Sequence, residues 1–378
     1  MRILQISSAK TFGGGERHVV DLCRGLQGRG HEVFAALRPT CQWQARLAFL
    51  PSERLMRVSI RNSIGVFSAI KMRDFIREHK IQIVHAHVAR DYIPASIACM
   101  AAHDAKFVLT RHVMFPLKPF NRFALKNLAL AIGVSDAVGA ELRRLFAREK
   151  VKVIANGIDI ENFSLVDPLE LGSEFRELHA IPHDATLIGT LGELKELKGQ
   201  NEFVLAAAEI LKFVSDAHFV IVGLDNTVDK RFRRDLKRLA GVLNIADRIT
   251  WLDWLENTAP FFSAADVFVS PSRSESFGLA MLEAMAHGKP IVATETDGAK
   301  QLLKGCGRLV PINDAIKMSA AIVELIADRS KMKNLGELAR TSAAERYSLE
   351  RMIDETEAAY QMVLGGTNTR TADAFDPL

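Results

Sequence analysis

The chain is expected to be an α/β protein with two Rossmann-like, doubly wound domains facing a central cleft. Three observations predict this. Its 378 residues suit two cores of roughly 150 to 200 residues each. Short β-branched runs alternate with longer segments that carry apolar residues at helical spacing. The same rhythm then restarts near Thr186, as it would in a second parallel sheet.

In order, strands are expected at Ile3 to Ser7, His31 to Leu37, Ile81 to His85, Lys106 to Thr110, Ala131 to Val134 and Val151 to Ile154. Between the first two, Val19, Leu22, Cys23 and Leu26 mark one helix face; Phe67, Ile70, Phe75 and Ile76 mark another further on. The second set of strands is Thr186 to Leu191, Ala217 to Gly223, Arg248 to Leu252, Val267 to Val269 and Pro290 to Ala293. Helical patterns follow at Asp314 to Asp328, Lys331 to Glu345 and Leu349 to Leu364. The stretch Asp159 to Asp184 has little periodicity and contains Pro168 and Pro182, so it reads as the linker. This divides the chain into domains at 1–165 and 166–345, a last helix at 346–365 and a mobile tail at 366–378.

Apolar residues at 48% and charged residues at 25% exclude disordered, collagen-like and coiled-coil chains. The longest apolar stretches, such as Ala95 to Ala102, fall short of the roughly 20 residues that cross a bilayer. The first residues run straight into a strand with no secretion signal, and the four cysteines form no CxxC pair. A cytoplasmic protein is therefore expected. Its net charge of +4 is uneven: residues 1–165 carry 25 Lys and Arg against 13 Asp and Glu, and the remainder carries 24 against 32. A basic first half suits an anionic partner. Its bases are spread over many helices without interleaved aromatics, which argues against nucleic acid. From Phe115 to Leu130, Lys118, Arg122 and Lys126 recur among aromatics and leucines, as in a surface helix or one that rests on an anionic membrane.

Ligands of doubly wound sheets bind beyond the carboxyl ends of the strands, so chemistry is sought there. Gly13, Gly14, Gly15 and Glu16 follow the first strand and open a helix; they form either a simple tight turn or an anion or sugar site of backbone amides. GxGxxG spacing is absent, against a nicotinamide or flavin dehydrogenase. In Ser270-Pro-Ser-Arg-Ser-Glu-Ser-Phe-Gly-Leu-Ala-Met-Leu-Glu, Ser274 or Ser276 can cap a helix from near Phe277. The amides of Phe277, Gly278 and Leu279 would then face phosphate oxygens. Glu283 lies eight residues after Glu275, slightly over two turns, where it can reach vicinal hydroxyls. The alternative is a capped helix with two solvated glutamates.

These residues resemble the E-x7-E motif of family 4 retaining glycosyltransferases, in the setting PSRSESFGLAMLEAMAHGKPIVAT. GGGE, His85-Ala-His87, NGID at Asn156 to Asp159, Lys198-Gly199 and AADVFVSPS follow in the family's order along nearly the whole chain. The resemblance implies the GT-B fold, with the last helix crossing back to the first domain, and sugar transfer with retention of configuration. It implies that Glu283 holds the donor ribose and Glu275 lies near the donor sugar. Ser276 and the amides of Phe277, Gly278 and Leu279, together with Gly14 and Gly15, would bind the rest of the donor. Lys198 would neutralise the diphosphate as the glycosidic bond breaks. His112 would contact the sugar or its acceptor, and Glu16, His85 and His87 are candidate acceptor contacts. Neither a cofactor nor a metal is expected: there is no Asp-x-Asp pair.

Two positions depart from the family pattern. Glu193 stands where an arginine is usual, so it must turn away, pair with a base such as Lys195 or Arg17, or meet acceptor hydroxyls. The later G-G-x-x-E pattern reads Asp297-Gly298-Ala299-Lys300-Gln301. The expected function is transfer from a nucleoside diphosphate sugar to a lipid-linked, envelope-polysaccharide or small-molecule acceptor. The alternative is a non-catalytic sugar-nucleotide-binding or assembly protein of the same fold.

Overall fold

The computed structural model describes residues 1–60, 65–160 and 168–365. Two compact units divide the chain: the first runs to Gly157 and resumes at Leu349, and the second is Ile158–Ser348.

The first unit runs β1 (Arg2–Ser7), α1 (Gly14–Gly28), β2 (Glu32–Leu37), β3 (Leu55–Arg57), α2 (Val66–Glu78), β4 (Ile83–Ala86), α3 (Ala89–Ala102), β5 (Lys106–Arg111), α4 (Asn121–Ala124), β6 (Leu128–Gly133), α5 (Asp136–Arg143) and β7 (Val151–Val153). All seven strands pair in parallel, in the order β3-β2-β1-β4-β5-β6-β7. Parallel neighbours cannot be joined by a tight turn, so helices cover the sheet and its strands are mostly apolar. One helix face of α1 supplies Val19, Leu22, Cys23 and Leu26 to the core beside Ile3, Val33 and Ile83.

The second unit continues with α6 (Pro168–Leu178), β8 (Leu187–Leu191), α7 (Gln200–Ile210), β9 (His218–Val222), α8 (Arg231–Val242), β10 (Ile249–Leu252), α9 (Ala259–Ala264), β11 (Val267–Ser270), α10 (Leu279–Ala286), β12 (Ile291–Thr294), α11 (Asp297–Leu302), β13 (Arg308–Val310), α12 (Ala315–Ala327) and α13 (Arg329–Arg346). Its six strands are parallel too, in the order β10-β9-β8-β11-β12-β13. The final helix, α14 (Leu349–Val363), belongs to the first unit and lies against α1. A Cβ on Gly25 would fall 2.0 Å from Ile353 Cδ1, so the bare glycine is what lets the two helices approach.

In each sheet the strand order reverses once, between β1 and β4 in the first and between β8 and β11 in the second. The carboxyl ends of those four strands are where a doubly wound sheet opens a binding crevice.

Three expectations need correction. The first unit ends at Gly157 rather than at 165, and the expected linker contains α6. Pro168 begins that helix, where its missing amide costs nothing. Phe175 is buried, and a Cβ on Gly172 would lie 3.1 Å from the Ser263 backbone, so α6 packs tightly on α9. The amphipathic helix expected over Phe115 to Leu130 is also absent. Pro116 and Pro119 break it, leaving only the four residues of α4 before β6 starts. The mobile tail expected at 366–378 lies outside the described residues.

Candidate functional site

The second unit brings Lys198 and Glu275 together at its strand reversal. After β8 the chain makes a short turn that ends on Lys198; after β11 it runs through Ser272 to Glu275. Lys198 Nζ donates to Glu275 Oε2 at 2.5 Å, and the two side chains are 25% and 16% exposed. Gly199 makes this meeting feasible. Its φ of +67° is a left-handed conformation, and a Cβ there would sit 1.9 Å from Pro271 O. Gly298 has a like role: a Cβ would come within 2.6 Å of Phe277 O, while its amide donates to Glu275 O at 2.9 Å. The altered pattern around Asp297 thus keeps the glycine that presses α11 against the loop from Glu275 to Phe277.

Helix α10 begins two residues later than expected. Its cap is Gly278, at φ +101°, and neither Ser274 nor Ser276 caps it. The first-turn amides from Leu279 onward have no partner within the helix, as at any N-terminus. Phe277 is buried edge-on to Tyr347. Ser276 is half-buried in the same loop. Glu283, in the second turn, is 4% exposed and accepts from Thr258 Oγ1 at 2.7 Å.

Glu193 pairs with a neighbouring base, one of the alternatives its position allowed. Lys195 Nζ donates to Oε2 at 2.5 Å and Asn226 Nδ2 to Oε1 at 3.1 Å. Burial pushes this carboxyl up, but those bonds and the charges of Lys195 and Lys198 outweigh it, so the acid stays below its usual range. Arg17 belongs to α1 and pairs with Asp21 instead.

In the first unit, His87 follows β4 and His112 follows β5, while α1 carries Gly14, Gly15, Glu16 and His18. A Cβ on Gly15 would lie 3.7 Å from the His112 ring. His85, inside β4, is fully buried with both nitrogens engaged, to Tyr360 Oη at 2.5 Å and Thr110 Oγ1 at 2.7 Å. It therefore holds the interior together and is not placed to meet an acceptor. Gln5 Nε2 donates to the same Tyr360 oxygen at 3.1 Å. Gln5 Oε1 can then only accept, so His87 Nε2, 2.7 Å away, carries a hydrogen. That leaves His87 Nδ1 as a lone pair facing His112 Nε2 at 3.3 Å. His18 closes the group, its ring 4.8 Å from that of His112 and 5.5 Å from that of His87.

Burial holds all four rings neutral. It pulls His18 down to about 4, against a smaller upward pull from the Asn156 side chain, and takes His85, His87 and His112 well below the usual imidazole range. Desolvation comes first in each case, and for the latter three nearby imidazoles add to it.

Residues 12–162 match the family described as Glycosyltransferase Family 4, and residues 185–328 the one described as Glycosyl transferases group 1. A D-inositol 3-phosphate glycosyltransferase of Geodermatophilus obscurus is 32% identical, covering 92% of this chain and 84% of its own. The chain belongs to the family 4, group 1 glycosyltransferases. A further relative of this glycosyltransferase is the lipopolysaccharide core biosynthesis glycosyltransferase LpsE of Rhizobium meliloti, 25% identical over 90% of this chain and 94% of that one. In fold it resembles a glycosyltransferase from Rickettsia africae, with a TM-score of 0.86 at 22% identity over 97% and 99% of the two chains. It also resembles Anabaena HepE in complex with UDP-glucose, with a TM-score of 0.83 at 22% identity over 95% and 100%. The glycosyltransferase thus has the GT-B fold, built from its two Rossmann-like units.

Sequence reasoning missed His18, Tyr360, Thr258 and Gly298. Gly298 alone left a trace, as a glycine surviving in an altered motif. The other three come close to their partners only through the fold.

Proposed function

We propose that this glycosyltransferase moves a sugar, with retention of configuration, from a nucleoside diphosphate donor to a lipid-linked, envelope-polysaccharide or small-molecule acceptor. The observation that carries the proposal is the Lys198–Glu275 pair at the strand reversal of the second unit. A cation there can take up the charge that grows on a departing diphosphate, and it is already oriented by a carboxylate. Glu275 acts at the reacting sugar. Glu283, steadied by Thr258, accepts from the ribose hydroxyls, and the amides of Phe277, Gly278 and Leu279 with Ser276 receive the sugar and diphosphate. In the first unit, Gly14 and Gly15 serve the donor, His112 the sugar or acceptor, and Glu16 and His87 the acceptor. Glu193, fixed by Lys195 and Asn226, offers its carboxylate to acceptor hydroxyls. Transfer needs no metal, because fixed amides and Lys198 do the electrostatic work. Similar proteins support the class: HepE is seen with UDP-glucose, and LpsE is a lipopolysaccharide core biosynthesis glycosyltransferase.

The experiment is a thermal-shift panel of UDP, GDP and ADP with their sugar conjugates, since a ligand that binds only the folded state raises the melting temperature. It is followed by product anomer analysis with the donor found, in the presence of chelator. Glu275→Gln is expected to keep the nucleotide-induced shift and lose turnover by at least tenfold, about 1.4 kcal/mol of barrier. Unchanged turnover would remove Glu275 from the reaction; an inverted anomer would reject retention.

Attachment to an anionic membrane is proposed for the segment around α4. Phe115, Phe120 and Phe123 are 66%, 49% and 77% exposed, among the exposed Lys118, Arg122 and Lys126. Cosedimentation with anionic vesicles should fall as salt rises. No binding at low salt would reject the idea.

A further inference from the structure

We infer that His18, His87 and His112 form a binding site for a borderline divalent transition-metal ion such as Zn²⁺. The three side chains each present one ring nitrogen, and these nitrogens lie within 4.8 Å of one another. Two ligands about 2.0 to 2.1 Å from a tetrahedral ion stand roughly 3.3 Å apart, the separation of His87 Nδ1 and His112 Nε2. To complete the set, His18 has to close by at most about 1.5 Å, within reach of a side-chain adjustment.

The orientation of each ring favours an ion over a chain of hydrogen bonds. His87 donates its Nε2 hydrogen to Gln5 Oε1, and Gln5 is itself fixed by Tyr360. An outer hydrogen bond to a carbonyl oxygen is how proteins fix the tautomer of a ligating histidine and leave its other lone pair for the metal. His112 contributes Nε2 by moving its proton to Nδ1, a change of tautomer with no change of charge. His18 is 6% exposed, so its ring nitrogens depend on partners inside the protein, and a metal would supply one. Three neutral imidazoles suit zinc, cobalt, nickel or copper, whereas magnesium and calcium favour oxygen ligands. His112 is only half-buried, so the fourth position is open to water or another small ligand. His87 and His112 also figure in the sugar-transfer reading, but the two are tested separately: transfer is expected without metal, and the test below uses no substrate.

The test uses tag-free full-length protein stripped with chelator and then titrated with Co²⁺, followed by Zn²⁺. One equivalent of Co²⁺ should give the intense visible absorption of a four- or five-coordinate ion, and one equivalent of Zn²⁺ should abolish it. His112→Gln and His18→Gln should each weaken Co²⁺ binding at least tenfold while the metal-free variants keep the wild-type circular dichroism. His112 is the safer of the two, because it is less buried. Only the weak spectrum of six-coordinate Co²⁺, or wild-type affinity in the folded His112→Gln protein, would overturn the assignment.

Discussion

Lowering the pH from about 7 to 5 should strip stability from the first unit, and the melting temperature should fall over that interval. His18 titrates near 4 when folded and at 6.5 when unfolded, so the unfolded chain binds its proton first. A depressed value means the stability is complete above about 6.5 and is lost as pH falls toward 4. His18 alone accounts for about 2 kcal/mol of the loss between pH 7 and 5. His85, His87 and His112 act in the same direction. Asp91 acts in the other. Its carboxyl is pushed up to about 6 by burial, so acidification to pH 5 relieves about 1 kcal/mol of its penalty and offsets only part of the His18 loss. Arg111 lies close to His112 and also disfavours its protonation. Thermal melts by circular dichroism at pH 7.5, 6 and 5 measure the balance, and His18→Gln should flatten the slope. A melting temperature that stays level across this range would refute the argument.

Lys198→Ala should weaken nucleoside diphosphate binding 30- to 100-fold, about 2 to 3 kcal/mol. The variant loses a cation and also leaves Glu275, only 16% exposed, facing the incoming phosphates without its partner. If that second part is real, Lys198→Ala/Glu275→Gln should bind more tightly than Lys198→Ala alone, since the double variant removes the repulsion. Isothermal calorimetry on the wild type, both single variants and the double variant closes the cycle. Equal affinity in wild type and Lys198→Ala would take the donor away from this strand reversal.

The sheet strands were readable in the sequence because most are buried on both faces, which leaves apolar runs such as Val33 to Leu37 and Phe219 to Val222. β3 and β13 were not, since each has three residues and is partly exposed, with no run to see. Proline misled in one place and was overlooked in another: Pro168 starts α6, whereas Pro116 and Pro119 end the helix that the Lys118, Arg122 and Lys126 spacing suggested. At the site, Lys198, Glu275 and Glu283 lie in or beside short local patterns, and such patterns survive in sequence. The histidine group is different. His18, His87 and His112 come from three separate segments, and only the parallel sheet makes them neighbours.

Tyr360 sits between Gln5 and His85, 355 positions from the former along the chain. During synthesis the first strand therefore leaves the ribosome with a polar interior that lacks its closing residue, and the whole second unit is made before that residue appears. Ile158–Ser348 is continuous and can fold as it emerges, but residues before Gly157 must wait for α14 to finish their core. Nascent chains stalled before Leu349 should present a protease-resistant second unit and a readily cleaved N-terminal half. The buried histidines of the first unit thus acquire their final surroundings only once α14 has been made.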